Sequence, residues 1–515
     1  MRRWFSRLVR RIVVTILIVF AVLFGVRIYE IEGGPPLQPW HTYVPGEPTR
    51  AEMDRDDWPA YLAAEAALFE GVKRNVTDKL DPDVLVPSNR YFADSPIYSP
   101  RFQQDWNRSF KLEPDGPVLG SVVLLHGLTD APYSLRHIAE TYRSRGFAAI
   151  GIRLPGHGTV PGGLTRVDWQ DWMAATRLAV REARKVAPSG PLHIVGYSNG
   201  GALAVMYALD AIEAPNLARP DKIVLLSPMI GVTRFARFAG LAGLPALLPA
   251  FAKASWLSIL PEFNPFKYNS FPVNAARQSF VLSDTLQQRL ARMASEGRLA
   301  TLAPILTFQS VVDQTVSTPA ILTALYDLLP ANGSEIVLFD INRSSTVAPL
   351  FTAATGRELG RLLPPPPRRY EVTVIADSTP GSTDVVERVT QAGASTETVL
   401  PTGLVYPADV YSLSHIAIPF PITDGLYGTD PDPADDFGIH LGDMVARGER
   451  GTLIIDQDTL MRMSSNPFYP YMIDQIERNI AAPAAATPAP VTPPATAAPA
   501  TAPDFIEPEP NAEGP

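Results

Sequence analysis

The chain has no cysteine among its 515 residues, which removes disulfides, thiolate metal sites and cysteine nucleophiles in one step. A domain of this size has core enough to fold without covalent staples, so the absence is silent about compartment. Histidine is scarce as well. His41, His126, His137, His157, His193, His415 and His440 are the full set of seven. None stands in H-x-x-x-H or H-E-x-x-H spacing, so no metal is expected. Neither a Walker A loop nor a dinucleotide G-x-G-x-x-G opening a helix is present, and no cofactor is expected. A formal net charge of −9 disfavours nucleic acid, whose phosphates demand a basic surface. Charged residues are only 19% of the chain against 46% hydrophobic, so most of it can bury a core.

What is there begins with a membrane signal. Arg2, Arg3, Arg7, Arg10 and Arg11 precede the charge-free apolar run 12–26, interrupted only by Thr15 and Gly25. With its flanks the run approaches the ~20 residues that span a bilayer. Residues 1–30 are therefore expected to be an uncleaved signal anchor, a single-pass transmembrane helix. The arginines would stay cytoplasmic and the rest would lie on the periplasmic or extracellular side. A cleaved signal is the rival, but no A-x-A-like site follows the run. Residues 31–115 read as a Pro/Gly-rich linker and an N-terminal extension with a helix near 56–75. Residues 481–515, mostly Ala, Pro and Thr with a few acids, read as a disordered tail.

Between these, over 116–480, β-branched runs alternate with helical patterns. Strands are expected at 121–125, 148–154, 192–195, 222–226, 305–312 and 335–339, and helices near 133–145, 169–185 and 201–210. That alternation predicts an α/β fold, a mostly parallel central sheet flanked by helices. Two stretches break the rhythm. Residues 230–300 carry Phe235, Phe238, Leu241, Leu244, Leu247, Leu248, Phe251 and Trp256, and read as an inserted helical cap. Residues 343–410 read as a second insertion.

The strongest chemical signal is Gly196-Tyr197-Ser198-Asn199-Gly200, which follows the strand LHIV and precedes the helical GALAVMYALD. A serine on so sharp a strand-to-helix turn is lifted above the sheet, and the flanking glycines leave the room that turn needs. Upstream, the strand VVLL ends in His126-Gly127-Leu128, where this architecture places half an oxyanion hole. The backbone N–H of Leu128 would be one donor and that of Asn199 the other, with His126 and Gly127 in support. The triad order of such folds is serine, acid, histidine, which leaves His415 and His440 for the base. His415, in SLSHIAIPF, is preferred over the acidic and Gly-flanked His440. For the acid, Asp313 closes the strand-like run PILTFQSVVD, and Asp340, after EIVLFD, is the alternative. His157, in LPGHG, precedes the serine and reads as part of a turn or rim.

HGLTDAPYSLR, LPGHGT, GYSNGG, SVVDQTV and SLSHIAIPF, in that order, resemble the monoacylglycerol lipase and lysophospholipase-like (serine aminopeptidase S33-type) branch of the α/β-hydrolase superfamily. The resemblance implies the α/β-hydrolase fold and hydrolysis of acyl esters without a metal. It implies Ser198, Asp313 and His415 as triad, Leu128 and Asn199 as oxyanion donors, and an acyl-ester or lipid substrate. The stretch between Asp313 and His415 is much longer than in compact members of that branch, which keeps Asp340 in play. A thioesterase or an aminopeptidase could use the same residues, although no acidic cluster that would capture an amino terminus is evident in the cap. A non-catalytic envelope protein acting through its Pro-rich tail is the remaining reading.

Overall fold

In the computed structural model, residues 33–231, 249–352, 358–379, 381–442 and 465–481 are described, together with single positions before residue 33. The apolar runs form ten strands of one sheet: β1 (Phe110–Leu112), β2 (Gly120–Leu125), β3 (Phe147–Ile152), β4 (Leu192–Tyr197), β5 (Lys222–Leu226), β8 (Ile305–Ser310), β9 (Glu335–Phe339), β10 (Glu371–Asp377), β11 (Asp384–Thr390) and β12 (Thr398–Val405). A two-stranded ribbon, β6 (Trp256–Ser258) with β7 (Phe271–Pro272), stands apart. The sheet order is β1-β3-β2-β4-β5-β8-β9-β10-β11-β12. All neighbours from β3 to β10 pair parallel, and β1, β11 and β12 pair antiparallel at the edges.

Strands buried on both faces need helices on both faces. Alternate residues of β2 show the division. Val123 and Leu125 face a core shared with α3 (Trp169–Val186), α4 (Asn199–Glu213), α5 (Val273–Ser295) and α6 (Thr318–Ala324). Val122 and Leu124 face a core shared with α2 (Arg136–Ser144) and α7 (Tyr469–Ala481). In the N-terminal extension, α1 (Trp58–Asn75) starts on an Asp57 cap whose side chain accepts from the Ala60 N–H, one of the orphan donors of a first turn. Its Trp58 and Tyr61 are buried in the first core.

The order β3-β2-β4 means that the chain leaves β2 to one side and returns on the other. Open α/β sheets bind ligands at such a reversal, outside the carboxyl ends of the strands. Here those ends are His126 after β2 and Ser198 after β4.

The second insertion, 343–410, carries β10, β11 and β12, which widen the main sheet beyond β9. Within 230–300, α5 buries Ala275, Leu282, Leu286, Leu290 and Met293 in the main core. What interrupts the fold there is the stretch between β5 and α5. Of the apolar residues read as cap, Phe235, Phe238, Leu241, Leu244, Leu247 and Leu248 lie outside the described residues, while Trp256 is buried. Most of the apolar run 12–26 and the tail from 482 also lie outside them. Among the described residues no helix is long and apolar enough to cross a membrane.

Candidate active site

Ser198 sits between the end of β4 and the start of α4 with φ 53° and ψ −113°, a conformation that costs a non-glycine residue about 1–3 kcal/mol. The surroundings hold it there. Its N–H donates to Leu226 O at 2.9 Å, and its carbonyl accepts from the N–H groups of Met229 at 2.8 Å and Gly201 at 3.0 Å. The glycines are obligatory because the turn is tight. A Cβ on Gly196 would overlap the backbone of Gly200, and one on Gly200 would overlap the carbonyl of Leu125. The second contact presses the N-terminus of α4 against the end of β2.

His415 reaches this serine from the loop after β12. Its Nε2 lies 3.0 Å from Ser198 Oγ, and its Nδ1 lies 2.8 Å from Asp313 Oδ2. A carboxylate only accepts, so Nδ1 carries the hydrogen and Nε2 is left to accept the serine proton. All three are buried: Ser198 is 8% exposed, Asp313 7% and His415 4%. Asp313 also accepts from the N–H of Thr315 at 2.8 Å and Val316 at 3.0 Å on Oδ1, and from Gln309 Nε2 at 3.2 Å on Oδ2. Burial alone would raise the Asp313 pKa; the His415 charge and these hydrogen bonds outweigh it and leave it lowered. The His415 backbone is held as well, since its carbonyl accepts from Tyr197 Oη at 3.2 Å.

The structure brings Ser198, His415 and Asp313 together and leaves the alternatives apart. Asp340 is ion-paired to Arg343 at 2.6 Å. His440 is exposed and its Nδ1 contacts Gly425 O at 3.0 Å. His157 is buried with Nδ1 on Pro155 O at 3.1 Å, and burial lowers its pKa to about 3.

The β2 loop is built around a glycine. Gly127 lies so close to the serine that an added Cβ would meet Ser198 Cβ at 3.4 Å and the Tyr197 ring at 3.2 Å. His126 stitches this loop to the next: its Nδ1 meets Gly127 O at 2.9 Å and its Nε2 accepts from the Leu154 N–H at 3.0 Å. Burial drives the His126 pKa well below the usual value, so its ring is a neutral brace. Leu128 follows in the turn, and Asn199 is the first residue of α4, where an N–H has no intrahelical acceptor.

Sequence reasoning missed the outer layer. Thr129, with φ 61°, accepts from Lys267 Nζ at 3.1 Å on its hydroxyl and from the Tyr268 N–H at 2.7 Å on its carbonyl. The stretch before α5 thereby buttresses the β2 loop. Arg90 of the N-terminal extension donates in turn to Asn264 O at 2.9 Å and Lys267 O at 3.3 Å. After His415, the buried Asp424 accepts from Tyr133 Oη at 2.9 Å and Arg136 at 2.5 Å, and contacts His137 Nε2 at 3.1 Å. Partners so far apart in the chain leave no local pattern. Among the described residues no group of His, Asp and Glu could hold a metal.

The family model described as serine aminopeptidase, S33, matches residues 116–340. A thermostable monoacylglycerol lipase from Bacillus sp. (strain H-257) is 33% identical over 94 residues, 18% of this chain and 36% of that protein. The match thus spans little more than a third of its curated relative. Among solved structures, a monoacylglycerol lipase from Paleococcus ferrophilus is 19% identical with a TM-score of 0.33, covering 45% of this chain and 87% of that one. A soluble variant of the monoglyceride lipase from Saccharomyces cerevisiae is 14% identical with a TM-score of 0.35, covering 45% and 81%. With its mostly parallel sheet, its serine on the turn after β4 and the S33 match over 116–340, the chain has the α/β-hydrolase fold.

Proposed function

We propose that this protein is a serine hydrolase of carboxylic esters. The observation that carries the reading is the His415 ring, which spans Ser198 Oγ at 3.0 Å and Asp313 Oδ2 at 2.8 Å. In this mechanism Ser198 Oγ attacks the ester carbonyl while His415 Nε2 takes its proton. Asp313 fixes the tautomer and stabilises the imidazolium. The N–H groups of Leu128 and Asn199 receive the oxyanion, each contributing about 3 kcal/mol to lowering the barrier. His415 then protonates the leaving alcohol, and water repeats the sequence on the acyl-enzyme.

The substrate we favour is lipid-like, a monoacylglycerol or lysophospholipid, a reading supported by the name of the Bacillus relative. An N-terminal membrane anchor fits such a substrate. The Arg-flanked run 12–26 supports it, and the helical positions Val14, Ile18 and Val22 expose aliphatic side chains. Retention of the full chain in the membrane pellet after alkaline carbonate extraction is expected, and release into the supernatant would remove the anchor.

The test of function is hydrolysis of p-nitrophenyl esters from acetyl to palmitoyl by the full chain in detergent and by its Ser198→Ala form. Turnover is expected, falling by about 10⁶-fold in the variant. A folded wild type that cleaves aminoacyl amides or thioesters but no oxygen ester would transfer the same residues to those reactions.

A further inference from the structure

Gln309, near the end of β8, is fully buried beside the triad acid. Its Nε2 lies 3.2 Å from Asp313 Oδ2, 2.9 Å from Thr318 Oγ1 and 3.1 Å from Ser310 O. The Thr318 hydroxyl hydrogen is committed to Ser310 O at 3.0 Å, so all three neighbours present lone pairs. Only the NH₂ end of the amide satisfies them; the flipped amide would set its oxygen against a carboxylate. This orientation leaves Gln309 Oε1 buried without a partner, a cost accepted in order to place the donor.

The oxygen so engaged is the one that receives His415 Nδ1–H. Each Asp313 oxygen therefore has two donors: Thr315 and Val316 N–H on Oδ1, Gln309 and His415 on Oδ2. Among the described residues no Lys or Arg pairs with it. We propose that Gln309 is a positioning residue for the acid. Its amide fixes Asp313 Oδ2 toward His415 and draws off part of the charge on that oxygen. The imidazolium formed during attack is then stabilised enough to form, yet still releases its proton to the leaving group.

This inference rests on the triad reading above. Among the described residues, the titratable groups at the pair include Asp313 and His415 themselves and Tyr197, whose hydroxyl donates to His415 O. A purely architectural role, tying the end of β8 to α6 through Thr318, would act on stability alone.

The experiment compares the full-length wild type with Gln309→Met, which keeps an unbranched side chain and loses both donors, and with Thr318→Val. On an ester the wild type cleaves, Gln309→Met is expected to lower kcat several-fold with KM unchanged. It should also raise the acid limb of kcat/KM by roughly half a unit to one unit, the worth of one neutral hydrogen bond. Thr318→Val is expected to lower Tm with the acid limb unmoved. If Gln309→Met does not fold, Gln309→Leu, which also lacks the donor, should shift the limb the same way. A wild-type acid limb and kcat in the folded Gln309 variant, with hydrolysis still dependent on Ser198, would overturn this inference alone. Hydrolysis surviving Ser198→Ala would instead overturn the triad.

Discussion

Among the described residues two buried aspartates contact a histidine, and only one of those histidines meets a serine hydroxyl. Asp313 holds His415 at 2.8 Å and Asp424 holds His137 at 3.1 Å. Both carboxyls are pulled below their ordinary range, for different reasons. Burial would raise each. At Asp313 the His415 charge and neutral hydrogen bonds reverse it; at Asp424 the permanent charge of Arg136 does so, aided by His137. Arg136 also reaches Asp435 and lies 4.2 Å over the Tyr133 ring. The second pair is compensated by a guanidinium whose charge does not titrate, so it clamps the loop after His415. No Lys or Arg among the described residues pairs with Asp313, and the far nitrogen of its histidine meets the Ser198 hydroxyl at 3.0 Å. In the proposed mechanism the Asp313–His415 contact is the acid–base device, while the Arg136-paired Asp424 contact is a clamp.

The sharpest way to break this contrast is to neutralise each aspartate. Asp313→Asn should lower kcat by about 10⁴-fold, by allowing the wrong tautomer, with thermal stability changed little by comparison. Asp424→Asn should do the reverse. Removing one partner of a buried charge pair costs about 3–5 kcal/mol, so Tm from thermal melts should fall steeply while the surviving folded fraction keeps most of its kcat. If Asp424→Asn cost as much kcat as Asp313→Asn at unchanged Tm, the division between device and clamp would fail.

A middle-sized effect concerns Asp340, the other strand-end acid. Asp340→Asn should leave kcat/KM within a few-fold of wild type and lower Tm modestly, because it strands Arg343. The sequence could not separate Asp313 from Asp340, since each closes an apolar strand. The sheet order separates them. β8 lies two strands from β4 and β9 lies three, and at about 4.8 Å per strand the second acid is set one spacing further from the serine.

The smallest effect is in the acid response. A carboxyl with a lowered native pKa contributes stability that is complete above its unfolded value, near 4, and is lost as pH falls through the native value. Wild-type Tm should therefore decline as pH falls below about 4, and the Asp424→Asn variant should decline less over the same interval. Equal slopes in the two proteins would remove Asp424 from the acid response.

What was legible in the chain was what is local. The spacing of Gly196, Ser198 and Gly200 encodes the turn because the glycines are there to clear backbone. The parallel strands announced themselves as apolar runs because both of their faces are covered. The widening of the sheet by β11 and β12 was not legible: β12 is mostly exposed, so no burial pattern marks it. Arg136 and Asp424 escaped for another reason, since neither is unusual until the fold joins them. Gln309 stood in plain view within FQSVVD, but an amide in a strand declares a role only when its acceptors are known.

The most direct test of the central claim is active-site labelling. The full-length protein is incubated with a fluorophosphonate ester and digested, and the modified peptide is located by mass spectrometry. The expected result is one adduct, on Ser198, absent from Ser198→Ala and formed far more slowly by His415→Ala. A folded, ester-cleaving protein labelled at another serine, or labelled at Ser198 equally fast without His415, would contradict the account.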